Sequence, residues 1–163
     1  MALLLSPALL CLIDAGTSSL RLEPDSAQDK VQQLPKQRCL LYQYEYPRPA
    51  VSADIIVVDA AVTPARVLLI RRLRDPFAGQ WALPGGFMDI DETAEAAAIR
   101  ELAEETSLVV QDVRQIGAYS AVDRDPRTRV ITIAFLATKP ADGVAVAADD
   151  AADTRWFPID RLP

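Results

Sequence analysis

GGFMDIDETAEAAAIRELAEETSL, residues 85–108, decides the fold and narrows the chemistry. A double glycine feeds a segment from about Glu92 to Thr106 whose spacing predicts a helix. At 100° per residue, Glu101, Glu104 and Glu105 fall within an arc of roughly 100° on one face. Ala96, Ile99, Leu102, Ala103 and Thr106 are expected to supply the opposite, largely apolar face. Each like-charge pair on the acidic face costs about a few tenths of a kcal/mol in an isolated helix, and no lysine lies close enough to relieve it. A solvated acidic face is the plainer reading. A divalent cation, Mg2+ or Mn2+, would reverse the sign of the repulsion, because carboxylates share such an ion without stripping all its water.

The turn around the helix favours the second reading. Gly85-Gly86 allows close approach of backbone to a neighbour. Glu92 stands eight residues before Arg100, about two turns away, so the two can pair and pin the turn to the helix. Working outward, "AVSADIIVVDA" (50–60) and "RVLLIRRL" (66–73) read as strands joined around Thr63-Pro64, an expected hairpin. "WALPGGF" reads as a short strand and turn. "VRQIGAYSAV" (113–122), "VITIAFLAT" (130–138) and "TRWFPI" (154–159) are further strands. Tyr42, Tyr44 and Tyr46 alternate and predict a short strand ended by Pro47 and Pro49. One helix among closely spaced strands points to α+β.

With 163 residues the chain suits one domain. Residues 38–163 are expected to form it, with 1–37 as an extension. The apolar stretch "ALLLSPALLCLI" (2–13) lacks a basic leader, so it is a poor secretory signal; a transit peptide and a non-targeting extension both stay open. The first would place the protein in an organelle such as a plastid, the second in the cytoplasm. No apolar run is long enough to span a bilayer, so no stable membrane insertion is expected. After "TRWFPI" the chain stops at "DRLP", where a covering helix would be expected.

The net charge of −6 argues against a general grip on nucleic acid. The chain has no histidine, which excludes Ser-His-Asp and Cys-His catalysis and the HExxH zinc motif. Cys11 and Cys39 are too few for a thiolate metal site and read as lone thiols, with a disulfide as the alternative. Carboxylates are left as the acid-base and metal-binding groups.

Gly86, five residues, Glu92, seven residues, then Arg100-Glu101-Leu102-Ala103-Glu104-Glu105-Thr106-Ser107-Leu108 resembles the signature G-x5-E-x7-R-E-U-x-E-E-x-G-U of Nudix hydrolases. The one departure is Ser107 in place of the last glycine. "YPRPAVSADIIVV", "PFAGQWALPGGF", "DRDPR" and "ADDAADTRWFPID" are similar to the ADP-ribose pyrophosphatase subgroup. The resemblance implies a Nudix-type α/β/α sandwich with a mixed β-sheet. It also implies Glu101, Glu104 and Glu105 as catalytic metal ligands, with the Gly85-Gly86 backbone near the metal and Arg100–Glu92 as a structural ion pair. The implied reaction is hydrolysis of a nucleoside diphosphate linked to another group, with ADP-ribose as the first candidate. An oxidised nucleoside triphosphate, a dinucleotide, or a non-catalytic ADP-ribose-binding module are the alternatives. No glutamate follows Glu105, so the base is either a box glutamate (Glu104 or Glu105) or one of Asp149, Asp150 and Asp153.

Phosphate contacts are expected from Arg72, Arg124 and Arg127, since guanidinium forks match phosphate oxygens. Phe77, Trp81 and the tyrosine face are candidates to stack a base, and Trp156-Phe157 reads as core. Relatives of this kind are often homodimers, and the tyrosine strand would offer an edge for that.

Overall fold

A computed structural model describes residues 44–163. The extension, both cysteines and Tyr42 lie outside the described residues. In chain order the elements are β1 (Ala50–Asp59), β2 (Arg66–Arg72), β3 (Trp81–Ala82), β4 (Gly85–Phe87), α1 (Ala94–Thr106), β5 (Arg114–Tyr119), β6 (Val130–Thr138) and β7 (Ala151–Pro158). All seven strands join one sheet in which β3-β2-β1-β6-β5 run side by side, with β4 on β1 and β7 on β2.

The apolar run of β1 puts it at the centre, buried from Ser52 to Val58. It runs parallel to β6 from Ala50↔Val130 to Val58↔Thr138, and the connection between these two carries α1. β5 closes back antiparallel on β6. The sheet is therefore mixed, and with the helix on one face the fold is α+β, as expected.

The hairpin of β1 and β2 is real but brief. They pair only at Val58↔Val67 and Asp59↔Arg66. β2 then runs with β7 from Arg66↔Pro158 onward, while β4 pairs with β1 at Ser52, Ala53 and Asp54. The sheet thus splits between β4 and the end of β2. A bulge at Arg71/Arg72 lets β7 begin at Ala151, three residues earlier than the sequence suggests.

Alternation along β1 feeds two cores. Ala53, Ile55 and Val57 meet Leu68, Phe135 and Ala137, beneath Ala97, Ala98 and Leu102 of α1. Ile56 and Val58 meet Val67, Leu69, Leu83 and Ala134 on the other face, where Phe157, Ile159 and Leu162 pack against them half-buried. Trp81 stacks edge-on against Phe157, with ring centroids 4.9 Å apart. Trp156 packs on the α1 side.

Three expectations need correction. Tyr44 and Tyr46 are exposed and belong to no strand, and Arg48 lies 3.9 Å over the Tyr44 ring. Pro47 and Pro49 follow at once, and among the described residues no strand of the sheet takes in 44–49, which removes the basis for a tyrosine-edge homodimer. Glu92 precedes the helix: Thr93 is the N-cap, extended at φ −82°, ψ 160°, and its hydroxyl accepts from the Ala96 N–H. The packed helix face is Ala97, Ala98, Leu102, Glu105 and Thr106, while Ala96 is exposed. The acidic and buried faces overlap, because the glycines of β4 leave room beneath the helix.

At the other end Ser107 is left-handed, φ 57° and ψ 7°, and its N–H donates to the Ala103 carbonyl at 2.8 Å. A residue with a Cβ is strained there, by about 1 kcal/mol relative to glycine. Ser107→Gly should therefore raise the melting temperature by a few degrees with turnover unchanged within twofold. Thermal unfolding and a rate assay on the same preparation check this; a large gain in rate would mean the cap also positions the glutamates.

Candidate active site

The site is built where β4 meets α1. The Gly85 N–H donates to Glu105 Oε2 at 2.9 Å, a buried bond that ties strand to helix. Gly85 has φ 150°, and a Cβ there would lie 2.4 Å from the Ala53 carbonyl oxygen, against backbone that cannot yield. Gly86 serves differently. A Cβ on it would stand 2.4 Å from Glu101 Oε1, so the Glu101 carboxylate occupies the space a side chain would need.

Arg100 organises the acids around this contact. Its Nε and Nη2 donate to Glu92 Oε2 (3.0 Å) and Oε1 (2.6 Å), a bidentate pair. Its Nη1 donates to Glu101 Oε1 at 2.8 Å and Glu104 Oε2 at 3.1 Å, and its Nη2 to the Phe87 carbonyl. The ion pair expected between Glu92 and Arg100 is present, and one arginine also relieves two of the three crowded glutamates. Hydrogen bonding to Arg100 holds the Glu92 carboxyl below its usual range, and Glu92 in turn raises the guanidinium.

Glu105 receives no such relief. Burial pushes its pKa up to about 8, with the Glu101 charge adding to the rise; the Gly85 N–H and the charge on Arg72 oppose it. Burial also raises Glu101, against the pull of Arg100. Both carboxylates face a cavity of about 370 Å³ in the split of the sheet. Its cations are Arg72, Arg74 and Arg127, its other acids Asp75, Asp149 and Asp150, and Phe87 supplies an aromatic wall.

Glu101, Glu105, Gly85, Gly86, Arg72, Arg127, Asp149 and Asp150 are thus brought together. Five other candidates stand outside this cavity. Glu104 is half-exposed and held by Arg100. Asp153 pairs with Arg155 on β7. Arg124 donates to the Thr132 hydroxyl, which also bonds Ser52 Oγ at 2.6 Å. Phe77 sits in the β2–β3 loop at φ 72°, where its carbonyl accepts from Gln80. Trp81 is occupied with Phe157 and Arg155.

Sequence reasoning missed Arg74, Phe87 and the buried Asp125. Arg74 Nη2 lies 3.2 Å from Asp150 Oδ1 across the cavity mouth. Phe87 follows the glycine pair directly and lines the same cavity, although strand alternation would turn it away from the face on which Gly86 meets Glu101. Asp125 is fully buried beside Arg127, which nothing in a charged loop foretells.

The donor set fits a divalent cation in part. Buried Glu105 and half-buried Glu101, the latter lodged in the space a Gly86 side chain would fill, are both raised by desolvation and are hard oxygen ligands poised to gain from a positive charge. Among the described residues no group of three acid, histidine or cysteine side chains stands close enough to hold a metal alone. Water and substrate oxygens would complete such a shell, the usual arrangement for Mg2+.

A family model described as NUDIX domain matches residues 48–163. ADP-ribose pyrophosphatase of Methanocaldococcus jannaschii is 41% identical over 128 residues, covering 78% of this chain and 73% of the relative. A putative 8-oxo-dGTP diphosphatase 2 of Mycobacterium tuberculosis is 37% identical over 117 residues, 66% of this chain and 83% of the relative. Among solved structures, the NUDIX domain of Shewanella oneidensis NrtR complexed with ADP ribose superposes with a TM-score of 0.64 at 28% identity. That match covers 71% of this chain and 76% of the other.

Two outcomes follow from this geometry. Gly86→Ala meets only the tip of a flexible side chain, so it should fold normally yet bind Mn2+ at least roughly tenfold more weakly, by displacing Glu101. Gly85→Ala meets backbone and should unfold at markedly lower temperature. Circular dichroism melts with Mn2+ titration by electron paramagnetic resonance separate the two, and wild-type Mn2+ affinity in Gly86→Ala would sink the assignment of Glu101.

The raised carboxyls also set a pH dependence. Between the ordinary glutamate value and about 8 the folded state holds more protons at Glu105 than the unfolded chain does. Stability of the metal-free protein is then full at low pH and falls as pH rises through that window. Glu92 and Asp125, both lowered, act oppositely and lose stability only as the solution becomes more acidic than the usual carboxylate range. Melting temperatures without metal should decline from pH 5 to 8. Glu105→Gln should flatten the decline, and a profile unchanged by that substitution would show that Glu105 is not its source.

Proposed function

The chain belongs to the NUDIX family, and from that premise we propose that it hydrolyses ADP-ribose to AMP and ribose 5-phosphate with Mg2+ or Mn2+. That it is a Nudix diphosphatase, acting on the phosphoric anhydride of a nucleotide, follows from the family match and the 41% identical relative. The single observation that carries the finer reading is the convergence of Glu101 and Glu105 with Arg72 and Arg127 in one cavity.

Glu101, with Glu104 joining it if Arg100 releases its carboxylate, would hold a divalent cation, which would supply charge neutralisation for the diphosphate and acidify a water. The remaining work falls to the chain. Arg72 and Arg127 receive phosphate oxygens through their guanidinium edges and hold the diphosphate in line. Glu105, with Oε2 fixed by the Gly85 N–H, presents its other oxygen to the water. As the water oxygen bonds to phosphorus its proton passes to Glu105, and the bridging P–O bond breaks toward the leaving phosphate. Burial raises the proton affinity of Glu105 in the metal-free protein, the direction that favours a base. Asp149 is the second candidate for this task, since it lines the same cavity. Asp150 is engaged by Arg74.

The mycobacterial relative supports a second reading, hydrolysis of an oxidised nucleoside triphosphate. A panel of ADP-ribose, 8-oxo-dGTP and dinucleotides with each metal, resolved by chromatography of the products, decides between them. ADP-ribose should give AMP and ribose 5-phosphate with the highest kcat/KM, and preference for the triphosphate would replace this reading with the second. Glu105→Gln should lower kcat by roughly 100-fold or more with Mn2+ affinity retained. If metal binding is lost with the rate, Glu105 is a ligand and the base passes to Asp149.

A further inference from the structure

The loop between β5 and β6 contains a charge that the hydrolytic residues do not account for. Asp125 has a side chain with 0% exposure, and a buried carboxylate is tolerated only when its oxygens are paired. Among the described residues its hydrogen bonds come from Arg127. The Arg127 backbone N–H donates to Oδ1 at 2.9 Å, Nε to Oδ1 at 3.1 Å, and Nη2 to Oδ2 at 3.0 Å. Pro126 between them restricts the backbone, and the bond from the Arg127 N–H back to Asp125 closes an Asx turn.

This arrangement consumes one edge of the guanidinium and fixes its plane. The group stands 5.8 Å over the Phe87 ring, and Arg127 is 38% exposed where it lines the cavity that Glu101 and Glu105 share. A long, flexible side chain is thereby held in one orientation before any ligand arrives. Its outer N–H donors, on Nη1 and Nη2, are left to face the cavity. Pre-ordering of this kind removes part of the entropy that binding an anion would otherwise consume.

We propose that Asp125 is a positioning residue for substrate: it locks the Arg127 guanidinium against Phe87 so that its free edge receives a phosphate oxygen of the nucleotide. Asp125 itself touches no substrate. The inference rests on the cavity being the substrate site, and it concerns how that site grips its ligand rather than which nucleotide is cleaved.

The test is a cycle of four proteins, wild type, Asp125→Asn, Arg127→Gln and the double variant, assayed on whichever nucleotide of the panel wild type turns over best. Asparagine and glutamine are chosen because Arg127→Ala would leave a buried charge opposite a void. Arg127→Gln should raise KM roughly tenfold to a hundredfold with kcat within a few-fold. Asp125→Asn should reproduce a large part of that rise, and should add nothing to KM in the Arg127→Gln background. A purely structural carboxylate would instead lower melting temperature and activity equally in both backgrounds, and that result overturns the proposal. So does an unchanged KM in either single variant. Failure of wild type to turn over any nucleotide would overturn the enzymatic reading and this one together, whereas turnover with an additive cycle overturns only this one.

Discussion

The contact between β4 and α1 is the constraint from which the rest follows. Two glycines let a strand lie so close to a helix that a glutamate accepts a hydrogen bond from the strand's own backbone, 2.9 Å from Gly85 N to Glu105 Oε2. No other residue fits Gly85, whose missing side chain faces the Ala53 carbonyl and Asp54. β4 pairs with β1 at Ser52 to Asp54, so β2 leaves β1 after Val58↔Val67; its freed edge is taken by β3 at Ile70 and Arg71, while β7 stays on the other edge throughout. The cavity is the space this divergence opens. The site is therefore a consequence of how the sheet splits, and the split is a consequence of the glycines.

That contact is also electrostatically uneven. Arg100 joins Glu92, Glu101, Glu104 and the Phe87 carbonyl, so the outer part of the acidic cluster is partly offset within the protein. Glu105 has no such partner and burial raises it, while Glu101 is raised by burial against the pull of Arg100. A carboxylate kept on the packed face of a helix, where an apolar residue would add stability, is a local conflict of the kind that accompanies function. A cation facing these groups would turn a destabilising feature into a favourable one, which couples metal affinity to fold stability through the same side chains.

Much of this was legible in the sequence. Long apolar or alternating runs located β1, β2 and β6 closely, because burial on one or both faces writes its period into the chain. The eight-residue interval from Glu92 to Arg100 predicted their ion pair correctly, although Glu92 precedes the helix and reaches back from the N-terminal turn. What escaped is what depends on distant partners. The parallel pairing of β1 with β6 joins residues eighty apart, as Ser52 and Thr132 illustrate, and no local pattern encodes it. The helix face was misjudged because a helical wheel assigns glutamates to solvent. Here the absence of side chains on β4 provides room for them. The tyrosine alternation failed for the converse reason, a strand period with no strand to pair against.

The loop from Asp123 to Arg127 shows how far spacing alone can mislead. Its two arginines look equivalent in sequence, both flanking Asp125-Pro126, and both were expected at the diphosphate. The Asx turn closed by Asp125 separates them. Arg124 points to the hydroxyl of Thr132, which is itself bonded to Ser52, and so anchors the loop to the sheet across β1 and β6. Arg127 reaches the cavity and Phe87 instead. Anchoring and gripping are separate tasks, and a single flexible arginine could not perform both. With Arg124 holding the loop to the central strands and Asp125 holding Arg127 in plane, the cavity-facing guanidinium is braced on the same two strands that carry the core, β1 and β6. The rigidity of the sheet is thereby carried to a residue that lies on a loop.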